Sequence, residues 1–143
     1  MSYIEVISNN ISTVKESYET VESMETQLNK FLDIVLDYQA SLKSLYDTID
    51  ELTESIIKAQ NKISIQEFYK IEKGLVSLHK KLVELYVKER NDEKCYLVAK
   101  SYIKNLHCSI NNLKESIDDF RIFRIELDED REYEHFVNII NDL

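Results

Sequence analysis

The stretch QNKISIQEF, residues 60–68, lies between two apolar repeats of different phase. Within it, Ser64-Ile65-Gln66-Glu67 has the Ser-x-x-Glu spacing of a capping box. In that motif the serine hydroxyl accepts from the N–H three residues on, and the glutamate carboxylate accepts from the serine N–H. Ile63 and Phe68 stand where a hydrophobic staple needs them. Lys58 and Lys62 sit near the end of the preceding segment, where cations favour the negative end of a helix dipole. Together these features predict one helix ending near residue 60 and another starting at 65.

Upstream, Met24, Leu28, Phe31, Val35, Tyr38, Leu42, Leu45, Ile49, Leu52, Ile56, Ala59 and Ile63 alternate steps of 4 and 3. That is an apolar a/d seam and not a strand pattern. An earlier seam runs through Ile4, Ile7, Ile11, Val14, Tyr18 and Val21. The two join by consecutive steps of three at Tyr18, Val21 and Met24, a stammer that overwinds a coiled coil or marks a bend. The reading is a helix over about 3–60, roughly 90 Å long if continuous, with a bend near 21–24 as the alternative. Residues 31–38, FLDIVLDY, are apolar on more than one side, which suits a place where several helices meet.

Downstream, Phe68, Ile71, Leu75, Leu78, Leu82 and Leu85 define a second helix over about 65–90. Gly74 lies inside it, either to let another backbone approach or as a tolerated flaw. KERNDEK, residues 88–94, reads as a polar turn with Asn91 or Asp92 as the next N-cap. Ala99, Ile103, Leu106, Ile110, Leu113, Ile117 and Phe120 give a third helix over about 93–120. RIFRIEL, residues 121–127, reads as helix extension or as an extended segment. The acidic run after it predicts a short fourth helix over about 129–142.

Composition agrees. The 143 residues include one glycine and no proline, so hairpin turns and glycine-rich loops have little to draw on. The expected fold is all-α: one elongated antiparallel helical bundle or coiled coil over 1–143, with a long N-terminal helix, two helices of about 26 residues and a short C-terminal one. Two helices of about 40 Å cannot cover a first helix of about 90 Å. The seam Ile4, Ile7, Ile11, Val14, Tyr18 and Val21 is therefore expected to be closed by another chain, the alternative being a first helix that folds back on itself.

The net charge of −9 is unevenly spread. Residues 1–60 carry 4 basic and 11 acidic side chains (−7), residues 61–110 carry 10 and 6 (+4), and residues 111–143 carry 4 and 10 (−6). The blocks suit helices lying side by side, and the acidic total argues against nucleic acid and anionic membrane surfaces as partners. No apolar run approaches the roughly 20 residues that span a bilayer, and the first ten residues lack a signal-peptide pattern. Cys95 and Cys108, about 20 Å apart on one helix, cannot pair with each other. Free thiols and a cytoplasmic location are expected.

Little in the sequence points to chemistry. One glycine excludes the phosphate-binding loops. His107 beside Cys108 diverges on a helix, and Glu132-x-x-His135 occurs once where di-metal bundles need it twice. No metal site and no cofactor are expected. RNDEKC, residues 90–95, resembles the Arg-polar-x-x-x-His motif of the HEPN family of helical nucleotide-acting domains, but Cys95 stands in place of the histidine. The resemblance covers six residues and implies a degenerate HEPN-like domain without its acid–base group. Asp47, Asp50, Glu51 and Glu54 share one face, which suggests an acidic inhibitor, an antitoxin-like protein or a nucleic-acid mimic. The leading expectation is a non-enzymatic interaction protein, an adaptor, assembly subunit or accessory chaperone. It would bind a protein partner, or itself, through the N-terminal seam.

Overall fold

Ser64 does what its spacing predicts. Its hydroxyl accepts from the Glu67 N–H at 3.1 Å, and the Glu67 carboxylate accepts from the Ser64 N–H at 3.3 Å. Ile63 and Phe68 are both buried beside this cap, and Phe68 stacks on Phe120 with ring centroids 4.1 Å apart. The computed structural model describes residues 2–28 and 34–141, with side chains except those of 26–28 and 124–135. The described residues form four helices: α1 (Tyr3–Leu28), α2 (Val35–Ala59), α3 (Ile65–Asn91) and α4 (Glu93–Asn141). The fold is all-α, and no strand occurs among the described residues.

Two expectations about helix length need correction. The long helix over 3–60 is two helices that lie against each other, with the reversal between Leu28 and Val35 and not at 21–24. Their pairing is antiparallel. Asn10 bonds Ser55, Ser17 approaches Thr48, and the Ser41 hydroxyl donates to the Met24 sulfur, so one number rises as the other falls. Burying Ile7, Ile11, Val14 and Val21 contributes about 1.5–3 kcal/mol each. A missing helix cap costs only about 1 kcal/mol, so folding back wins. The predicted fourth helix is likewise no separate element. Residues 121–128 are helical, and α4 runs unbroken in backbone trace to Asn141, with no glycine or proline to stop it.

The neighbours of each helix follow from cross-contacts. Gln39 of α2 donates to the Val98 carbonyl of α4, while Thr53 and Ile57 share a recess with Asn112 and Ser116, so α2 and α4 run parallel. Glu72 pairs with Arg121 and Tyr86 stacks on His107, so α3 and α4 are antiparallel. Glu25 faces Lys88, and Tyr18 shares a recess with Leu78, so α1 and α3 are parallel. The bundle is thus square in section, with α1 beside α2 and α3, α4 beside the same two, and α2 diagonal to α3. The core is one continuous cluster built from the four seams.

α4 bends at Ala99, where φ is −141° and ψ 28°. The seam explains the place. Cys95, Ala99 and Ile103 are separated by consecutive steps of four, a stutter, which locally unwinds a coiled coil. The short first turn before the bend is capped by Asp92, whose carboxylate accepts from the Cys95 N–H at 3.0 Å.

A Cβ added at Gly74 meets nothing within 4 Å, so no neighbouring backbone depends on that glycine. Gly74→Ala is expected to raise stability by about 0.5–1 kcal/mol in urea denaturation. Val14→Asp is expected to unfold the isolated chain, because it places a carboxylate in a position with no solvent exposure. Loss of the helical circular dichroism signal at low protein concentration would show it.

Candidate functional site

The seam of α1 does not end in a stammer. The next position after Val21 in strict 4, 3 alternation is Glu25, and Glu25 is buried. The seam of α3 likewise continues from Leu85 to Glu89, which has no exposed surface. At the same end of the bundle α2 contributes Tyr38 and α4 contributes Cys95, both fully buried. One core layer therefore holds a carboxyl, a phenol, a carboxyl and a thiol, one from each helix.

Its centre is Glu89. The Tyr38 hydroxyl donates to Glu89 Oε2 at 2.5 Å across the bundle diagonal. Glu89 Oε1 has no hydrogen-bond partner. A charged carboxylate there would be costly, and burial pushes the Glu89 carboxyl up to about 7, with the nearby Glu25 charge adding to the shift and the Tyr38 bond opposing it. Burial also raises the Cys95 thiol to about 12, and holds Tyr38 well above the ordinary tyrosine range. At the solvent edge Lys88 Nζ lies 3.3 Å from Glu25 Oε2, and this contact raises the lysine. The layer can store a proton. Its thiol is held in the unreactive form and sealed from any substrate.

The sequence-predicted residues fall elsewhere. Ile7, Ile11, Val14 and Val21 are buried, and Ile4 and Tyr18 pack against the core. The seam expected to await another chain is closed by α2 and α3 of its own chain, because the reversal after Leu28 brings α2 onto it. Tyr18 is raised to about 12 by partial burial and by Glu22. Asp47, Asp50, Glu51 and Glu54 are all exposed on α2. Asp47 pairs with Lys43 at 2.7 Å and Glu54 with Lys58 at 2.8 Å, so half of this face carries its own counter-charge. Arg90 and Cys95 diverge. The Arg90 guanidinium lies 4.1 Å over the Tyr96 ring at the surface, while Cys95 points into the core. The residues that resemble the HEPN motif do not form one site.

The polar layer was within reach of the sequence. Extending the α3 alternation by one more step lands on Glu89, which the polar run KERNDEK disguises as turn. A tyrosine at a seam position also needs a partner for its hydroxyl. The chain matches no protein-family model, no curated protein and no solved structure. Among the described residues no helix is long and apolar enough to cross a membrane, and no group of three or more His, Cys, Asp or Glu side chains is arranged to hold a metal ion.

The layer makes stability depend on pH. Folded Glu89 keeps its proton to about pH 7, whereas the ordinary glutamate value is 4.5. Between these values the folded state binds more protons, so its contribution is full below 4.5 and is lost as pH rises through 7. Glu89→Gln keeps the Tyr38 bond and removes the titration. Thermal unfolding should show the variant more stable than wild type at pH 8, by on the order of 1–3 kcal/mol, with the difference shrinking toward pH 4.5.

Proposed function

We propose that this chain is a non-enzymatic protein–protein interaction protein, an adaptor, assembly subunit or accessory chaperone, that works by presenting helical surfaces. The observation that carries this reading is the outer part of α4. Glu72 pairs with Arg121 in an antiparallel register, so α3, which begins at Ile65, is used up near residue 128 of α4. The rest of α4 runs past the bundle. Phe136, Ile139 and Ile140 are 59%, 49% and 49% exposed there, at spacings that put them on one helical face. Each is about half exposed, so covering it is worth on the order of 1 kcal/mol, a drive toward a partner when the three act together.

The polar layer supports the non-enzymatic half of the proposal, since its carboxyl and thiol are out of reach of a substrate. Two free cysteines, one buried and one exposed, fit a cytoplasmic setting. The acidic-inhibitor reading gains no support from α2, where lysines of the same helix already answer two of the four carboxylates.

Affinity capture from the native host tests the proposal. Phe136→Asp with Ile140→Asp should lose the proteins that wild type retains, while thermal unfolding of the bundle shifts by no more than about 0.5 kcal/mol. An identical captured set would rule the α4 extension out as the binding surface.

A further inference from the structure

The outer side of α3 carries a second apolar stripe. Tyr69, Val76, Val83 and Val87 are all exposed, between 37% and 62%. Their steps of 7, 7 and 4 put them within about 20° of one line along the helix. The stripe is about 27 Å long, and residues 129–141 of α4, which run past α3, span about 18 Å and cover about two-thirds of it. Lys73 and Lys80 are exposed beside it, and Lys114 of α4 stands close enough to His79 to lower that imidazole, after burial. The stripe thus lies in the basic part of the chain, residues 61–110 with net charge +4. The extension is the opposite. Residues 124–143 hold seven acidic and two basic side chains, a net of −5.

Building on the reading of the extension as an interaction surface, we propose that its partner is a second copy of this chain, with the α4 extension of each copy lying along the α3 stripe of the other. Charge favours this pairing: −5 meets a lysine-flanked stripe, whereas extension against extension would set like charges face to face. Direction favours it too. The extension leaves the bundle at the end where α3 begins, and α3 of the same chain runs the opposite way. Without a break in α4 its extension cannot reach its own stripe. When two inverted copies meet at that end, each extension runs parallel to the other's α3, and both contacts form together. The interface is two-fold and self-complementary, which closes a dimer and leaves no free half-site.

Sedimentation equilibrium on the purified full chain tests this. Wild type should show a monomer–dimer equilibrium that weakens as NaCl rises from about 50 to about 500 mM. Phe136→Asp/Ile140→Asp and, separately, Val76→Lys/Val83→Lys should each raise the dissociation constant at least about tenfold. Mixing the two variants should give more association than either alone, because one intact extension then meets one intact stripe. All these positions are exposed, and circular dichroism checks that both variants stay folded. Wild type that stays monomeric at about 1 mM overturns the proposal, as does a mixture that recovers nothing. A stripe variant that dimerises like wild type overturns it as well. Host capture with the extension variant is an independent readout, so a monomeric wild type that still loses its captured proteins on Phe136→Asp/Ile140→Asp rejects the second copy and keeps the extension as a surface for a different protein.

Discussion

Closure of the α1 apolar face by α2 and α3 is the constraint on which the rest of the molecule depends. Ile7, Val14 and Val21 have no alternative cover within the chain, and all three are almost entirely withdrawn from solvent. Once α1 lies against α2, the bundle has four sides and α4 must fill the corner between α2 and α3. That corner is as long as α2 and α3 are. It accommodates α4 to about residue 128, beyond Phe120 stacked on Phe68 and Arg121 paired with Glu72, and the helix then runs past the start of α3.

The two ends of the bundle are built differently. One is apolar and tightly capped, with Ile63, Phe68 and Phe120 over the Ser64 capping box. The other is closed by the layer of Glu25, Tyr38, Glu89 and Cys95, and beside it α4 bends at Ala99. A layer of this kind contributes less than an apolar one would, because Glu89 must keep a proton to remain buried. It also ties α2 and α3 to one register at that end, since sliding either would strip Glu89 of its bond to Tyr38. The Gln39 bond to the Val98 carbonyl, next to the bend, engages a backbone group where α4 is irregular.

Two groups of apolar side chains share a helical face on the outside of the described residues, the α4 extension and the α3 stripe, besides scattered exposed residues such as Leu36, Ile57 and Leu97. They are opposite in surrounding charge. Their separation on one molecule is a matter of helix direction. Antiparallel α3 and α4 carry the stripe and the extension away from each other, which turns a pairing that would otherwise be satisfied within the chain into one offered to a neighbour.

The sequence by itself determined the helices and the faces they bury. The 4, 3 alternation, the near absence of glycine and proline, and the Ser64–Glu67 box all act locally, so they are legible without the fold. The reversal after Leu28 is not of that kind. Ile34 precedes α2 without any side-chain cap bond, and the seam keeps its phase across the gap, so nothing local marks the break. The same holds for α4, where an acidic run resembling a helix start is simply more helix. For the candidate site, seam spacing could have located Glu25 and Glu89, but only packing shows that they meet Tyr38 and Cys95 in one layer. Which apolar face is covered and which is left for a partner depends on how many helices the chain can bring to it. That number is fixed by where the chain turns back, which long-range burial decides and short-range propensity does not.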